Sequence, residues 1–220
     1  MSAFYNRDCM ADMAEYPDKY FDLAIVDPPY GSAGQDFKEK EGRLHSGRYN
    51  KYKLSGSERS DLAIIKSWDV APTAEYFEEL FRISKNQVIW GGNYFDLPPT
   101  RCFLVWRKSN IPDQFTMAPV EYAWTSFFEN AKVFERSSIR SKDSGGFHPT
   151  EKPVELYTWV LTSFAKPGDK ILDTHVGSAS SLIACERLGY DYVGYEINSE
   201  YYKKAKARLD LERRQIKWQF

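Results

Sequence analysis

At 220 residues with 42% hydrophobic content, the chain is long enough for one well-packed core and has the composition of a globular protein, not a disordered one. No apolar run reaches bilayer-spanning length and "MSAFYNRDCM" holds no signal-peptide core, which predicts a soluble, intracellular protein with no membrane association. The formal net charge of −1 and three scattered cysteines (Cys9, Cys102, Cys185) argue against a uniformly basic surface, a disulfide framework and a metal site.

In chain order, "AFYN" reads as a short strand and "CMADMAEY" as one or two helical turns. "FDLAIV" then has the unbroken apolar character of a strand buried in a parallel sheet. It runs into "VDPPYGS", where two prolines stop regular structure directly after Asp27. Residues 31–66 are polar, rich in Gly, Ser and Lys, and too long for an ordinary connection, so a functional mobile loop is expected. Within it, "RLHSGRYNKYK" sets Arg43, Arg48, Lys51 and Lys53 among Tyr49 and Tyr52 with no acid. A second basic stretch runs from Arg136 to Lys142, and either stretch alone reads equally as solvated surface or as a binding site. "TAEYFEELFRIS" is an amphipathic helix, followed by the strand "NQVIW" and a tight turn in "GGNYF".

"RCFLVWRK", "VEYAWTSF" and "AKVFER" are successive strand patterns without helices between them, which predicts an antiparallel hairpin. After "KDSGGFHPTEKP" the alternation resumes: helix "VELYTWVLTSFA", strand "DKILD", helix "SASSLIACERLG", strand "DYVGYEI" and helix "SEYYKKAKARLDLER". Strand–helix alternation on both sides of a hairpin specifies a mostly parallel α/β sheet in a single domain spanning 1–220.

In such sheets ligands gather beyond the C-terminal strand ends. Here those ends carry Asp27-Pro28-Pro29-Tyr30, Gly91-Gly92-Asn93, "DTHVGSAS" from Asp173 to Ser180, and Glu196-Ile197-Asn198. The third is a strand, a glycine turn and a helix start, which suits a nucleotide-like ligand, but it lacks the pattern for a dinucleotide pyrophosphate. An acid such as Glu196 at the end of the next strand is placed to accept hydrogen bonds from ribose hydroxyls.

"DPPY", "HPTEKP" and the "D…GSAS" turn, in this order, resemble the β-type, permuted DNA amino-methyltransferases, in which the catalytic motif precedes the cofactor motif. The resemblance covers nearly the whole chain. It implies a Rossmann-like fold with a seven-stranded, mostly parallel sheet and an antiparallel hairpin. It also implies S-adenosylmethionine as methyl donor, S-adenosylhomocysteine as product and no metal. The cofactor turn departs from the family's usual D-P-F-x-G-S-G-T: Thr174, His175 and Ala179 stand for the proline, the phenylalanine and the second glycine. No large target-recognition segment fits between Trp106 and His148, so recognition is expected from 31–66 or from a second subunit.

An exocyclic base amine is a weak nucleophile because its lone pair is delocalised into the ring. Asp27 can accept one of its N–H groups and the Pro28 carbonyl the other; the prolines fix that oxygen's direction, and Tyr30 offers a stacking face. Asp27 also stabilises the positive charge that grows on the amine, and the base must flip out of the duplex to reach it. The resemblance implies cofactor contacts from Asp8, Cys9, Asp27, His148, Thr150, Lys152, Asp173, His175, Gly177, Ser178, Ala179, Ser180, Glu196, Ile197 and Asn198, with Thr150 and Lys152 near the cofactor carboxylate. The expected partners are double-stranded DNA, a second copy of the chain in a homodimer, and a cognate restriction nuclease. Adenine N6 is the expected acceptor; cytosine N4, RNA adenine and a catalytically degenerate nucleic-acid-binding relative are the alternatives.

Overall fold

The computed structural model describes residues 2–31, 70–111, 118–137 and 151–217, with 216 and 217 described for backbone alone. The elements are β1 (Ala3–Tyr5), α1 (Met10–Glu15), β2 (Phe21–Val26), α2 (Ala74–Ile83), β3 (Ser84–Trp90), a 3-10 turn (Gly92–Tyr94), β4 (Phe103–Lys108), β5 (Val120–Thr125) and β6 (Lys132–Arg136). They continue with α3 (Val154–Phe164), β7 (Lys170–Asp173), α4 (Ser180–Leu188), β8 (Asp191–Tyr195) and α5 (Ser199–Lys217).

The strands form one sheet in the order β1-β8-β7-β2-β3-β5-β4-β6. Among the described strands only β5 runs against its neighbours, its Thr125 opposite Val88 of β3 and its Tyr122 opposite Val105 of β4. Side chains of a strand alternate between faces, so β2 feeds two cores. Leu23 and Ile25 join Val88, Trp90, Leu104 and Trp106 under α3, α4 and α5, whereas Ala24 and Val26 join Ile89, Leu172 and Val193 under α1 and α2. Two apolar layers on one sheet give a three-layer α/β/α body, as the alternation in the sequence requires. Among the described residues no helix is long and apolar enough to cross a membrane.

One expectation is corrected: among the described residues the sheet has eight strands, not seven. The expected antiparallel hairpin is β4 with β5, and β6 lies parallel to β4, with Val105 opposite Val133. The outer edge of β5 is already occupied by β3, so the open edge of β4 is where β6 can add. In addition, β3 starts at Ser84, directly after α2, where the Ser84 hydroxyl donates to the Leu80 carbonyl at 2.5 Å.

The chain divides into two compact units, one of Met1–Asp27 with Glu75–Phe220 and one of Pro28–Ala74. Within the second, Gly31 adopts φ +65, and a Cβ there would stand 3.1 Å from the Cβ of Ala71, so the two ends of the long excursion meet. Arg43, Arg48, Tyr49, Lys51, Tyr52 and Lys53 lie outside the described residues, as do His148, Thr150 and nearly all of the second basic stretch.

Candidate active site

Parallel strands end at one edge of a sheet, so β8, β7 and β2, neighbours in the sheet order, bring Glu196, Asp173 and Asp27 to that edge together. The chain leaves β2 and β7 in opposite directions, toward β3 and β8 respectively. The gap between them is therefore the switch point at which open α/β sheets bind ligands.

Glu196 is held rigidly. One carboxylate oxygen accepts the Gly177 N–H at 2.9 Å and the other the Asn198 N–H at 2.8 Å, while its own N–H donates to the Tyr5 carbonyl at 3.0 Å. Burial pushes its carboxyl above the usual carboxylate range, and the two backbone N–H groups oppose that. Each oxygen keeps a lone pair for a further donor. Asn6, at the end of β1, donates to the Glu196 carbonyl at 2.7 Å. The Asn198 side chain caps α5, accepting from Glu200 and Tyr201, and Ile197 is 65% exposed beside them.

The turn after β7 is built around buried Asp173, which accepts the Ser181 hydroxyl and, at 2.9 Å, the His175 N–H. Its carboxyl is pushed up to about 7, first by burial and then by the charges of Asp27 and Glu196. Gly177 (φ +54) and Ala179 (φ +66) are both left-handed, so the alanine keeps the backbone shape that a glycine adopts freely. Gly194 of β8 lies beneath: a Cβ on it would stand 2.8 Å from Val176 and 2.9 Å from Leu182. The Ser178 and Ser180 hydroxyls bond each other at 3.1 Å, and Arg208 of α5 donates to the Ser178 carbonyl (2.9 Å) and the Ser180 hydroxyl (3.1 Å). These two serines therefore tie the turn to α5.

Thr174 and His175 replace the two motif residues in a specific way. The Thr174 hydroxyl bonds the Tyr76 hydroxyl of α2 at 2.6 Å and His175 Nδ1 at 2.9 Å, and the Tyr76 and His175 rings meet edge-on at 5.4 Å. Burial lowers His175 to about 4, so it is neutral at physiological pH and acts as a flat aromatic group. Cys9 opens α1 beside this cluster; burial, reinforced by Asp8, pushes its thiol up to about 12, so it is no nucleophile. Asp8 accepts the Met10 N–H at 2.9 Å.

Lys152, only 3% exposed, bonds Asp27 and lies 3.2 Å from Glu121 of β5. Glu121 in turn pairs with Lys108 of β4 at 2.6 Å. The Lys152 ammonium also stands over the Trp90 ring at 5.6 Å. The motif resemblance places Lys152 near a cofactor carboxylate; the structure gives it two carboxylates of the protein itself. Glu121, Lys108, Tyr76, Ser181 and Arg208 were not among the sequence candidates. None belongs to a motif, and each reaches the site through sheet pairing or helix packing.

Comparison with known proteins bears on this geometry. A family model described as a DNA methylase of the N6/N4 type matches residues 35–207, beginning just after the Asp27–Tyr30 tetrapeptide. YubD of Escherichia coli K12, a putative methylase by name, is 27% identical over 219 residues, covering 95% of this chain and 90% of its own. Among solved structures, the M1.HpyAVI complex with S-adenosylmethionine superposes with a TM-score of 0.55 at 19% identity, covering 96% of this chain and all of that one (100%). The cytosine-N4-specific PvuII DNA methyltransferase gives 0.59 at 14%, covering 94% and 86%. These superpositions establish a shared Rossmann-like methyltransferase fold.

Proposed function

The chain belongs to the N6/N4 DNA methylase family, and on that footing we propose that it transfers the methyl group of S-adenosylmethionine to the exocyclic N6 of adenine in double-stranded DNA. The observation that carries the reading is the convergence of Asp27, Asp173 and Glu196 on the ends of the neighbouring strands β2, β7 and β8. Lys152 pairs with Asp27 at this edge, so three carboxylates face one ammonium, and S-adenosylmethionine brings a further positive charge on the sulfur that carries its transferable methyl group. The donor set therefore fits the cofactor.

In this reading Glu196 accepts the ribose hydroxyls with the lone pairs its two backbone donors leave over. The exposed Ile197 covers one face of the adenine, and Asp8 with the Cys9 backbone receives its polar edge. The backbone from Gly177 to Ser180 and the neutral ring of His175 line the remainder, with Thr150, His148 and Lys152 assigned by their motif. Asp27 accepts one N–H of the target amine and turns its lone pair toward the methyl carbon. As the amine becomes positive, the same carboxylate stabilises it; donors or acceptors aimed at developing charge contribute about a hundredfold or more to rate. The Pro28 carbonyl takes the second N–H and Tyr30 stacks on the flipped base. The resemblance supports adenine over cytosine, because an aspartate at the first tetrapeptide position tilts toward adenine in that family.

The test is direct. Unmethylated DNA of mixed sequence is incubated with the protein and isotopically labelled S-adenosylmethionine, digested to nucleosides and analysed by mass spectrometry. Label in N6-methyladenine is the expected result. Label confined to N4-methylcytosine would overturn the base assignment, and label in RNA but not DNA would overturn the substrate.

A further inference from the structure

Glu121 lies on β5, the one antiparallel strand among those described, opposite Trp106 and diagonal to Lys108 on β4. Because β5 runs backwards, its beginning lies at the edge where the parallel strands end. There Glu121 meets Lys152, which precedes α3, and Lys152 meets Asp27. The four side chains alternate in sign: Asp27, Lys152, Glu121, Lys108. Their charges sum to zero. Lys152 is sealed at 3% exposure and Lys108 at 12%, so water screens this set weakly.

We propose that Glu121 is a positioning residue for methyl transfer: by sharing the Lys152 ammonium, it keeps Asp27 from being fully neutralised and so leaves it able to receive the charge that develops on the attacking amine. The inference rests on the function proposed above. In the reaction the amine lone pair forms the new N–C bond while the C–S bond breaks, its electron pair staying on sulfur, which becomes neutral. The positive charge moves to the amine nitrogen until one N–H proton departs through Asp27 to water. A site that must accept a positive charge beside Asp27 is penalised by any unbalanced cation. Without the charge of Glu121, these four positions together carry a net charge of +1. Burial alone would raise the Glu121 carboxyl, but Lys152 and Lys108 together outweigh it and hold it below the usual carboxylate range, so it is ionised wherever the enzyme works.

A charge effect has a consequence that a structural role does not. Glu121→Gln keeps the shape and removes the charge: kcat should fall roughly tenfold or more, with S-adenosylmethionine affinity and DNA KM unchanged. Adding Lys108→Met in the same chain restores neutrality and should regain most of the lost rate, whereas two structural lesions would add. A Glu121→Gln enzyme within about twofold of wild type, or a double variant no faster than the single one, would overturn the proposal. A second readout needs no turnover. In the cofactor-free protein, the Glu121 carboxyl carbon followed by NMR should titrate below the usual carboxylate range, and Lys152→Met should move that titration upward. An ordinary or raised wild-type midpoint means the pairing is absent and overturns the proposal on its own. Wild-type protein that leaves adenine unmodified overturns the functional reading instead, and the titration tells the two failures apart.

Discussion

Replacing Lys152 with methionine keeps the length and most of the volume of the side chain while deleting its charge. The ammonium is 3% exposed and serves two carboxylates, Asp27 and Glu121, which are 15% and 27% exposed. Removing one partner of a buried pair costs about 3–5 kcal/mol, and the partial access of water to both acids points to the lower end, about 3 kcal/mol. For a domain of this size that lowers Tm by roughly 6–12 °C. The loss should depend on pH in a defined direction. In the wild type the Glu121 carboxyl is held below its ordinary value, so its pairing stabilises the fold above the usual carboxylate range and is lost as pH falls through the lowered value. In Lys152→Met, burial is opposed by Lys108 alone, the carboxyl rises, and the folded state is penalised most at neutral pH. Urea unfolding of both proteins at pH 7 and near pH 4 should therefore show a difference that shrinks on acidification. A difference below about 1 kcal/mol at pH 7, or one that does not change with pH, would refute the buried-pair account.

Glu196→Gln preserves shape but weakens acceptance of ribose hydroxyls, so S-adenosylmethionine affinity by calorimetry should fall about tenfold; unaltered affinity removes Glu196 from the cofactor site. Gly92→Ala would put a Cβ 2.4 Å from the Cβ of Trp124 and 3.0 Å from its backbone nitrogen, forcing β3 from β5 at a cost of about 2 kcal/mol or more; an unchanged melting temperature contradicts this. Replacing Arg43, Arg48, Lys51 and Lys53 with serine should weaken DNA binding and flatten its salt dependence, by about 0.9 in slope for each phosphate that is no longer neutralised, without affecting cofactor affinity. An unaltered slope returns the segment to solvated surface.

What could be read from the sequence was what repeats locally. The unbroken apolar run of "FDLAIV", the amphipathic face of "TAEYFEELFRIS" and the glycine that closes α4 all report periodicity or turn chemistry, and each element lies where its pattern predicts. The acids at the strand ends followed from topology, because the parallel arrangement fixes which ends share an edge. Pairing beyond neighbours was not readable. Nothing in "AKVFER" states that it adds in parallel to β4; that follows from β3 having occupied the edge of β5. Glu121 looks like an ordinary strand residue in "VEYAWT", and its pairing appears only when Lys152 arrives from the far side of the chain. The departures in the cofactor turn were visible, but their accommodation was not: Thr174 bonds Tyr76 of another helix, and Ala179 adopts a left-handed backbone.

In the proposed mechanism Asp27 acts at the target amine and not at the cofactor. The decisive measurement compares wild type with Asp27→Ala for two quantities on the same preparations: the rate of N6-methyladenine formation in DNA and the calorimetric affinity for S-adenosylmethionine. A fall of about a hundredfold or more in rate, with cofactor affinity within about threefold, is the predicted result. An Asp27→Ala protein that methylates adenine at close to the wild-type rate would contradict the mechanism.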